Sequence, residues 1–567
     1  MSAKMIGIDL GTTNSSCALV DGDELVLIPN RRGNRTTPSI IALSDSGEVL
    51  VGESARNQLV SHAGRTIRSA KRLMGSDTAI PFGPAFLRPE EVAARILLEL
   101  KHDAEDWLGE ELVEAVITVP AWFSEPQRRA TLSAASLAGL RVRRLLNEPT
   151  AAALAWAWSL KRRFDPGPGE KRVLVYDLGG GTFDVTVLSL GSRACRVLAS
   201  AGDGLLGGDD FDAIVYAEVR SRLSETLGEA LDDPVIDRQL RDSCEKAKCE
   251  LSMAEQASIS LPFVGQGKIV HASTTITRAE FEVWIRPLVE KSIALVKQCL
   301  ADAGLTDADI DYLVFSGGSS RIPLVRRLLS ELLGREAAGR VNPDEIVAAG
   351  AAVFASLDQG AQAGFAIHDA LSRSFGVEID GGKALSVVER NTTIPCARQR
   401  VFTTVVDKQD SVEIHVLQGD ALLAADNVSL GRFLLSGIRQ APRGEPRIEV
   451  GFTIDADVIL TVSARDMDMG LEQKITIASS LASPTRLEML RALSARADAL
   501  RPWARGDRAL ERELEETLAA FYTLDDLQGA VFSPEDGGKL EQLRIALQAL
   551  VAELETRKGQ GIDLGLY

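Results

Sequence analysis

The chain has 567 residues, too many for one hydrophobic core, so two to four domains are expected. With 45% hydrophobic and 25% charged residues it has the balance of an ordinary soluble globular protein, and its net charge of −17 argues against a nucleic-acid-wrapping surface. Six cysteines without CxxC pairs and five scattered histidines indicate neither a disulfide framework nor a zinc site.

No apolar run approaches the ~20 residues of a membrane span, and "MSAK" leads straight into the first motif. No membrane and no signal peptide are therefore expected, and a reducing cytoplasm is the expected compartment. That first motif is "IGIDLGTTNSS" (6–16), a strand-like run that stops at Asp9 and is followed by Gly11, Thr12 and Thr13. Glycine lets the backbone approach a ligand closely, N–H groups and threonine hydroxyls bind oxygens, and an aspartate can hold hydrated Mg2+. The turn suits a phosphate and its metal ion, although a plain hairpin fits the same residues.

Residues 116–157 read as a buried strand, a loop, a helix starting near Pro126, another strand and an Ala-rich helix. This is the βαβα alternation of an α/β domain. "VLVYDLGGGTFDVTVL" (173–188) then repeats the opening design, with Asp177 lying 168 positions after Asp9. Two such turns one domain length apart predict two duplicated lobes facing each other across a nucleotide. "DIDYLVFSGGSSRIPLVRRLLSELLG" (309–334) follows as strand, Gly-Gly turn and helix, and "NPDEIVAAGAAVFAS" (342–356) as a helix capped by Asn342 with Pro343 at its first position.

Around 357–368 the chain becomes Gln/Gly/Ala-rich and nonperiodic, which predicts a linker. Beyond it, alternation at Val412, Ile414 and Val416, and again at Ile448, Val450, Phe452 and Ile454, predicts several short strands over about 105 residues and hence a sandwich. From Ser483 and Pro484 the pattern is helical, with leucines at 487, 490, 493 and 500 and at 540, 543, 547, 550 and 554. That spacing suits a short helical bundle or a coiled coil.

Together "IGIDLGTTNS", "NEPTAAALA", "DLGGGTFDVTVL", "LGGDDFD", "VNPDEIVAAGAAV", "NTTIP", "IHVLQG" and "IDADVILTVSARD" resemble the seventy-kilodalton heat-shock chaperones of the DnaK type, in order from residue 5 to about 480. The resemblance implies an α/β, two-lobed ATPase domain like that of actin and the sugar kinases (1–356), an interdomain linker (357–371), a β-sandwich peptide-binding domain (372–481) and a short α-helical lid (482–567). It implies a stress-response chaperone that hydrolyses ATP to ADP, with Mg2+ and potassium ions beside the phosphates. Its implied partners are unfolded or client polypeptides, a J-domain co-chaperone and a nucleotide exchange factor.

Residue by residue, Asp9 and Asp177 match carboxylates that hold Mg2+ through its waters. Gly11, Thr12, Thr13, Gly179, Gly180, Gly181 and Gly208 match the phosphate cradle. Lys71 matches a lysine near the γ-phosphate, and Glu148, Thr182 and Asp184 match residues that orient the attacking water and the phosphate. These roles are coherent, because phosphoryl transfer needs positioning and charge neutralisation above all. Glu245, Lys248 and Ser252 match one wall of the adenosine site; Gly317, Gly318 and Arg321, with Asp344 beside them, match the other. Pro120, Arg128 and Asp369 match the relay between the domains, and Val377, Phe402, Thr403, Val405, Val412 and Ile414 match the peptide pocket and its walls. For Val412 and Ile414 taken alone, ordinary strand-core positions explain the pattern as well.

The chain also departs from the family. Cys249 stands where some relatives place an arginine against the base, residues 365–368 (Phe-Ala-Ile-His) replace a run of aliphatics in the linker, and Asp380 replaces an apolar residue that arches over the peptide. The trimmed linker should lose ~1–2 kcal/mol of apolar docking. The stretch from Lys71 to Pro120 is about two dozen residues shorter than in the general chaperone and the tail is short, features closer to the HscC-type branch. Two other readings use the same residues: a nucleotide-switched regulatory protein for one client, and a small-molecule kinase of the same ATPase fold. The sandwich argues against the kinase.

Overall fold

The two Asp-Gly turns end strands that are flanked alike. In the computed structural model the described residues are 4–22, 24–59, 63–161, 169–227, 231, 233–265, 268–336, 341–359, 365–455, 458–470, 472–477, 497, 501–504, 507–525, 547 and 550. Strand β1 (Ile6–Asp9) pairs antiparallel with β2 (Asn14–Asp21), and β2 with β3 (Glu24–Ile28). On its other edge β1 lies parallel to β4 (Glu114–Val119), and β4 lies parallel to β5 (Arg141–Asn147). Parallel neighbours need helical crossovers. Helix α1 (Pro89–Leu108) precedes β4, α2 (Glu125–Leu137) joins β4 to β5, and α3 (Glu148–Lys161) follows β5.

The second turn repeats the plan. β6 (Lys171–Leu178) pairs antiparallel with β7 (Phe183–Leu190), and β7 with β8 (Ala194–Asp203). After α4 (Gly208–Leu227), α5 (Pro234–Leu251) and α6 (Arg278–Asp302), strand β9 (Tyr312–Ser316) returns parallel to β6. All eight residues of β7 are buried, the polar Asp184, Thr186 and Ser189 among them, so both faces of this strand are covered.

Small residues explain how closely these elements pack. Helix α7 (Ile346–Gln359) lies so near α3 that a Cβ on Gly350 would sit 1.7 Å from the Ala151 carbonyl oxygen. It also lies on β1, where a Cβ on Gly7 would meet the Ala352 nitrogen at 2.2 Å. The Ala-rich runs of the sequence are thus helix–helix and helix–strand contact surfaces. The predicted start of α7 at Asn342 is corrected: residues 342–345 form a turn in which Asn342 Oδ1 accepts the Asp344 N–H, and the helix begins at Ile346. A local side-chain acceptor offers the backbone an alternative to the helix ladder there.

Two ordered elements fall within the expected linker (357–371). Helix α7 runs to Gln359, and β10 (Ala366–His368) adds to the sheet edge parallel to β8, with the Ala366 N–H donating to the Arg193 carbonyl at 2.9 Å. Strand addition relies on backbone hydrogen bonds and so tolerates the loss of aliphatic side chains. Phe365 and Ile367 still pack, half-buried, against the core around α3 and α7.

Beyond β10 the chain forms two four-stranded sheets. β11 (Phe375–Ile379), β12 (Lys383–Val388), β14 (Ser411–Gln418) and β15 (Val428–Ser436) make one, in the order β12-β11-β14-β15. β13 (Cys396–Phe402), β16 (Ile448–Ile454), β17 (Leu460–Asp466) and β18 (Glu472–Ile477) make the other, in that order. Val377, Val416 and Leu435 from the first share one buried core with Val450, Phe452 and Val462 from the second. The predicted alternation appears in β16, whose Ile448, Val450, Phe452 and Ile454 all point inward.

These elements belong to one compact unit, Met1–Ser76 with Pro89–Leu481. A second unit comprises Asp77–Arg88 and Ala482–Tyr567. It contains a hairpin of Ile80–Phe82 with Ala85–Leu87, and helix α8 (Arg508–Asp525), in which Leu510, Leu514 and Leu518 are buried at four-residue spacing. Of the leucines in the predicted helical tail, Leu547 and Leu550 are buried, and the others lie outside the described residues. Among the described residues no helix is long and apolar enough to cross a membrane.

Candidate active site

The turn after β1 and the turn after β6 meet face to face. A Cβ on Gly180 would lie 2.0 Å from Thr13 Oγ1, and one on Gly181 would lie 2.8 Å from Thr12 Cγ2. Hydroxyls brace the first turn: Ser15 Oγ accepts the Gly11 N–H at 3.1 Å, and Ser39 Oγ donates to the Gly11 carbonyl at 2.8 Å. Gly208 closes the cradle, its N–H donating to the Gly179 carbonyl at 3.0 Å. A cradle that one methyl group would fill leaves room for oxygens only where glycine is kept.

Four carboxylates gather around one ammonium. Lys71, on the short 3-10 turn Ala70–Leu73, places Nζ 2.6 Å from Glu148 Oε1, and both side chains are buried. Asp9 at the end of β1 accepts a hydrogen bond from Thr118 Oγ1 of β4 at 3.1 Å, and Asp177 accepts one from Ser316 Oγ of β9 at 2.9 Å. Asp184 accepts the Trp122 N–H at 3.0 Å.

Burial, reinforced by Glu148, pushes Asp9 up to about 7. Burial also holds Asp177 well above the usual carboxylate range, with Glu148 and Asp184 adding to it. Asp184 reaches about 7 through burial and Glu148, despite the Trp122 N–H. For Lys71 burial works against the charge, but Glu148 and Asp9 outweigh it and keep the ammonium charged. One buried cation cannot neutralise four acids, so the site must take up protons or a further cation.

Hard carboxylate oxygens in surplus suit Mg2+. Among the described residues no three His, Cys, Asp or Glu side chains converge as a direct ligand set.

Glu245, Lys248 and Ser252 line one side of α5 and its C-terminal end. Lys248 Nζ pairs with Asp212 at 2.9 Å and reaches the Gly208 carbonyl at 3.2 Å, while Glu245 pairs with Arg68 at 3.2 Å. Opposite them Gly317 adopts φ +76°, where a Cβ would strike the Leu178 carbonyl oxygen at 2.4 Å. Arg321 pairs with Asp344 at 2.6 Å, and Gly318 faces Asp344. Gly208 lies between the two walls, close to Ser319 and to Lys248. Cys249 is an exposed free thiol.

Of the expected relay residues, Arg128 and Asp369 converge. Arg128 Nη2 donates to Asn147 Oδ1 at 2.6 Å, and Asn147 Nδ2 donates to Asp369 Oδ1 at 3.2 Å. Asp369 also accepts from Thr150 at 3.3 Å, while Pro120, directly after β4, lines a separate cavity with Trp122 and Asp184. Sequence reasoning missed Asn147, next to Glu148 in the chain, although it links Arg128 to Asp369. It also missed the contacts made by the sheets. The Glu125 N–H donates to Gln418 Oε1 at 2.9 Å, and Arg390 pairs with Asp302 of α6 at 2.9 Å. Buried polar partners so distant in sequence leave no local pattern to read.

The six expected peptide-pocket residues do not share one lining. Val377 and Ile414 are each 4% exposed and lie in the core between the sheets, with Phe402 and Val412 packed at its margin. Thr403 is exposed and Val405 is 58% exposed. Strand alternation puts Val377 and Ile414 on the inward face, where the shared core takes them. Asp380 is exposed at the tip of the β11–β12 hairpin, beside Gly381 at φ +78°.

A protein-family model described as Hsp70 protein matches residues 5–85 and 81–498 of the chain.

Proposed function

The chain belongs to the Hsp70 family, and on that premise we propose that it hydrolyses ATP to switch its grip on extended apolar segments of client polypeptides. The proposal divides the chain into an ATPase domain (1–356), a linker (357–371), a peptide-binding sandwich (372–481) and a lid (482–567). Thr12, Thr13, Gly208 and residues 179–182 receive the phosphates. Glu245, Lys248 and Ser252 take the adenosine from one side; Gly317, Gly318, Arg321 and Asp344 take it from the other.

Mg2+ supplies charge neutralisation at the phosphate oxygens, and potassium ions beside them are part of the same reading. Lys71 holds the γ-phosphate and offsets charge that builds in the transition state. Glu148, Asp184 and Thr182 orient the attacking water. Peptide is held by Phe402, Thr403, Val405 and Val412 at the rim of the sheets, supported from below by Val377 and Ile414. A J-domain protein stimulates hydrolysis and an exchange factor restores ATP. The short stretch between Lys71 and Pro120 supports a specialised, HscC-like member with a narrowed range of clients.

The observation that carries this reading is the chain of hydrogen bonds from Arg128 through Asn147 to Asp369. It ties the residue before Glu148 to the segment that leads into the sheets, so nucleotide and peptide can bias one shared contact. Coupling of this kind is reciprocal. Fluorescent-peptide binding in ADP and in ATP, for wild type, Lys71→Ala and Thr182→Ala, tests it. ATP should weaken peptide affinity by about 5- to 150-fold, the usual range of such coupling, and both variants should stay in the weak-binding state because they hydrolyse slowly. Equal affinity in the two nucleotides for wild type ends the coupled reading.

A further inference from the structure

Arg373 lies four residues beyond Asp369, on the segment leading into β11, yet its guanidinium points back toward the residues around Asp184. It rests over the Trp122 ring, 5.2 Å from the centroid. Its Nε is buried without a hydrogen-bond partner, and no hydrogen bond or ion pair reaches the guanidinium among the described residues. Asp184 and Asp420 act on it only at longer range. The side chain is partly buried, and the buried Nε donor is left without a partner. Such an arrangement is sustained where an anion arrives to share the charge.

The space for that anion is a cavity of about 320 Å3 lined by Arg373, Arg72, Trp122, Thr182 and Asp184 and by the backbone at Gly202 and Gly204. Most other charges there are already matched. Arg72 pairs with Asp210 at 3.1 Å, and Asp203 pairs with Lys291 at 2.5 Å. Arg373 is therefore the cation left over, and a guanidinium fork is the side chain best shaped to grip an oxyanion through two hydrogen bonds. Thr182 and Asp184 place this cavity beside the proposed site of hydrolysis, on the side where the sheet region approaches.

We propose that this cavity is a holding site for inorganic phosphate, with Arg373 as the group that binds it. The phosphate's origin as the product of ATP hydrolysis rests on the function proposed above; the binding site itself does not. Because Arg373 belongs to the segment entering the sheets, phosphate is retained while that segment is docked and freed when it moves away. Arg373 thus reports to the nucleotide site whether the sheets are in place.

Equilibrium dialysis of radiolabelled inorganic phosphate against the ADP-loaded, full-length protein tests the site directly. Wild type should bind saturably, and Arg373→Gln should weaken binding by at least about tenfold, the scale of one lost charge-assisted hydrogen bond. Arg373→Lys, which keeps the cation but not the fork, should fall between them and guards against a folding defect. Phosphate should also change Trp122 emission, a change that Trp122→Phe removes. In single turnovers, the lag between hydrolysis by acid quench and release by a phosphate sensor should shrink in Arg373→Gln. Wild-type phosphate affinity in Arg373→Gln, or no saturable binding in wild type, overturns the proposal. Wild type that binds phosphate in an Arg373-dependent way but never cleaves ATP would keep the site and overturn the ATPase reading instead.

Discussion

Asp9 and Asp177 occupy equivalent places in two sheets built alike. Each lies at or next to the end of its strand, each has an antiparallel hairpin partner on one side, and each takes a hydroxyl hydrogen bond from a parallel strand on the other. The difference lies across the hairpin. Opposite Asp9 is Ser16, and opposite Asp177 is a second acid, Asp184. The first turn is stiffened by the hydroxyls of Ser15 and Ser39, whereas the second presses two of its three glycines, Gly180 and Gly181, against the first. The two halves thus present matching carboxylates, with the excess negative charge in one half and the rigid frame in the other; the proposed function makes these carboxylates the anchors of a metal and its phosphates.

Removing each anchor in turn gives the largest effect. Asp9→Asn and Asp177→Asn should each lower Mg2+-dependent ATP hydrolysis by about 100-fold, the upper end of losses seen when a group holding a metal from outside its ligand shell is removed. The halves should separate in stability. Asp177→Asn relieves a carboxylate crowded by both Glu148 and Asp184, so without nucleotide it should melt above wild type by more than Asp9→Asn does. Equal melting shifts would remove the asymmetry. Glycine substitutions come next. A methyl on Gly180 collides with Thr13 Oγ1 at 2.0 Å, while one on Gly179 has nothing nearer than 3.8 Å. Gly180→Ala should cost about 2 kcal/mol of nucleotide-free stability by overpacking, and Gly179→Ala far less. Chemical denaturation without ligand measures both, and equal losses would mean that the turns do not meet as described.

Much of the cleft could be read from the sequence because its chemistry is local. A strand ending in Asp-Leu-Gly with hydroxyls after it is a compact signal, and it occurs twice. The Ala-rich helices were legible as helices, but only Gly350 against Ala151 and Gly7 against Ala352 reveal that they are contact surfaces. The sheets were legible in their alternation and illegible in their roles, since an inward Val377 or Ile414 has the same pattern whether it faces a core or a ligand. The short strand inside the expected linker had no signal, because three residues suffice for strand pairing and backbone hydrogen bonding leaves little trace in side-chain composition. Arg373 had no signal at all. A lone arginine between two serines becomes informative only once Trp122, 251 positions earlier, lies beneath it.

The smallest expected effect concerns the two hydroxyls, and it tests the symmetry of the anchors most finely. Asp9 is raised from 3.8 to about 7, chiefly by burial. Between those values the folded protein keeps a proton that the unfolded chain has lost, so rising pH removes stability from the metal-free protein across that window. A proton on Asp9 also competes with Mg2+. Ion binding to the ADP complex should therefore weaken as pH falls below about 7, approaching tenfold per pH unit while a single proton is displaced. Thr118 donates to the ionised carboxylate and pulls its pKa down. Thr118→Val should raise Asp9 further and move the midpoint of the Mg2+ profile upward by about one pH unit, the equivalent of a hydrogen bond worth ~1.4 kcal/mol. Ser316→Ala should do the same through Asp177, which Ser316 also holds down. Mg2+ titrations of the two variants across that pH range provide the comparison. An upward shift in both would show the hydroxyls working as matched supports, whereas an unmoved profile in Thr118→Val would leave Asp177 as the only proton-sensitive anchor.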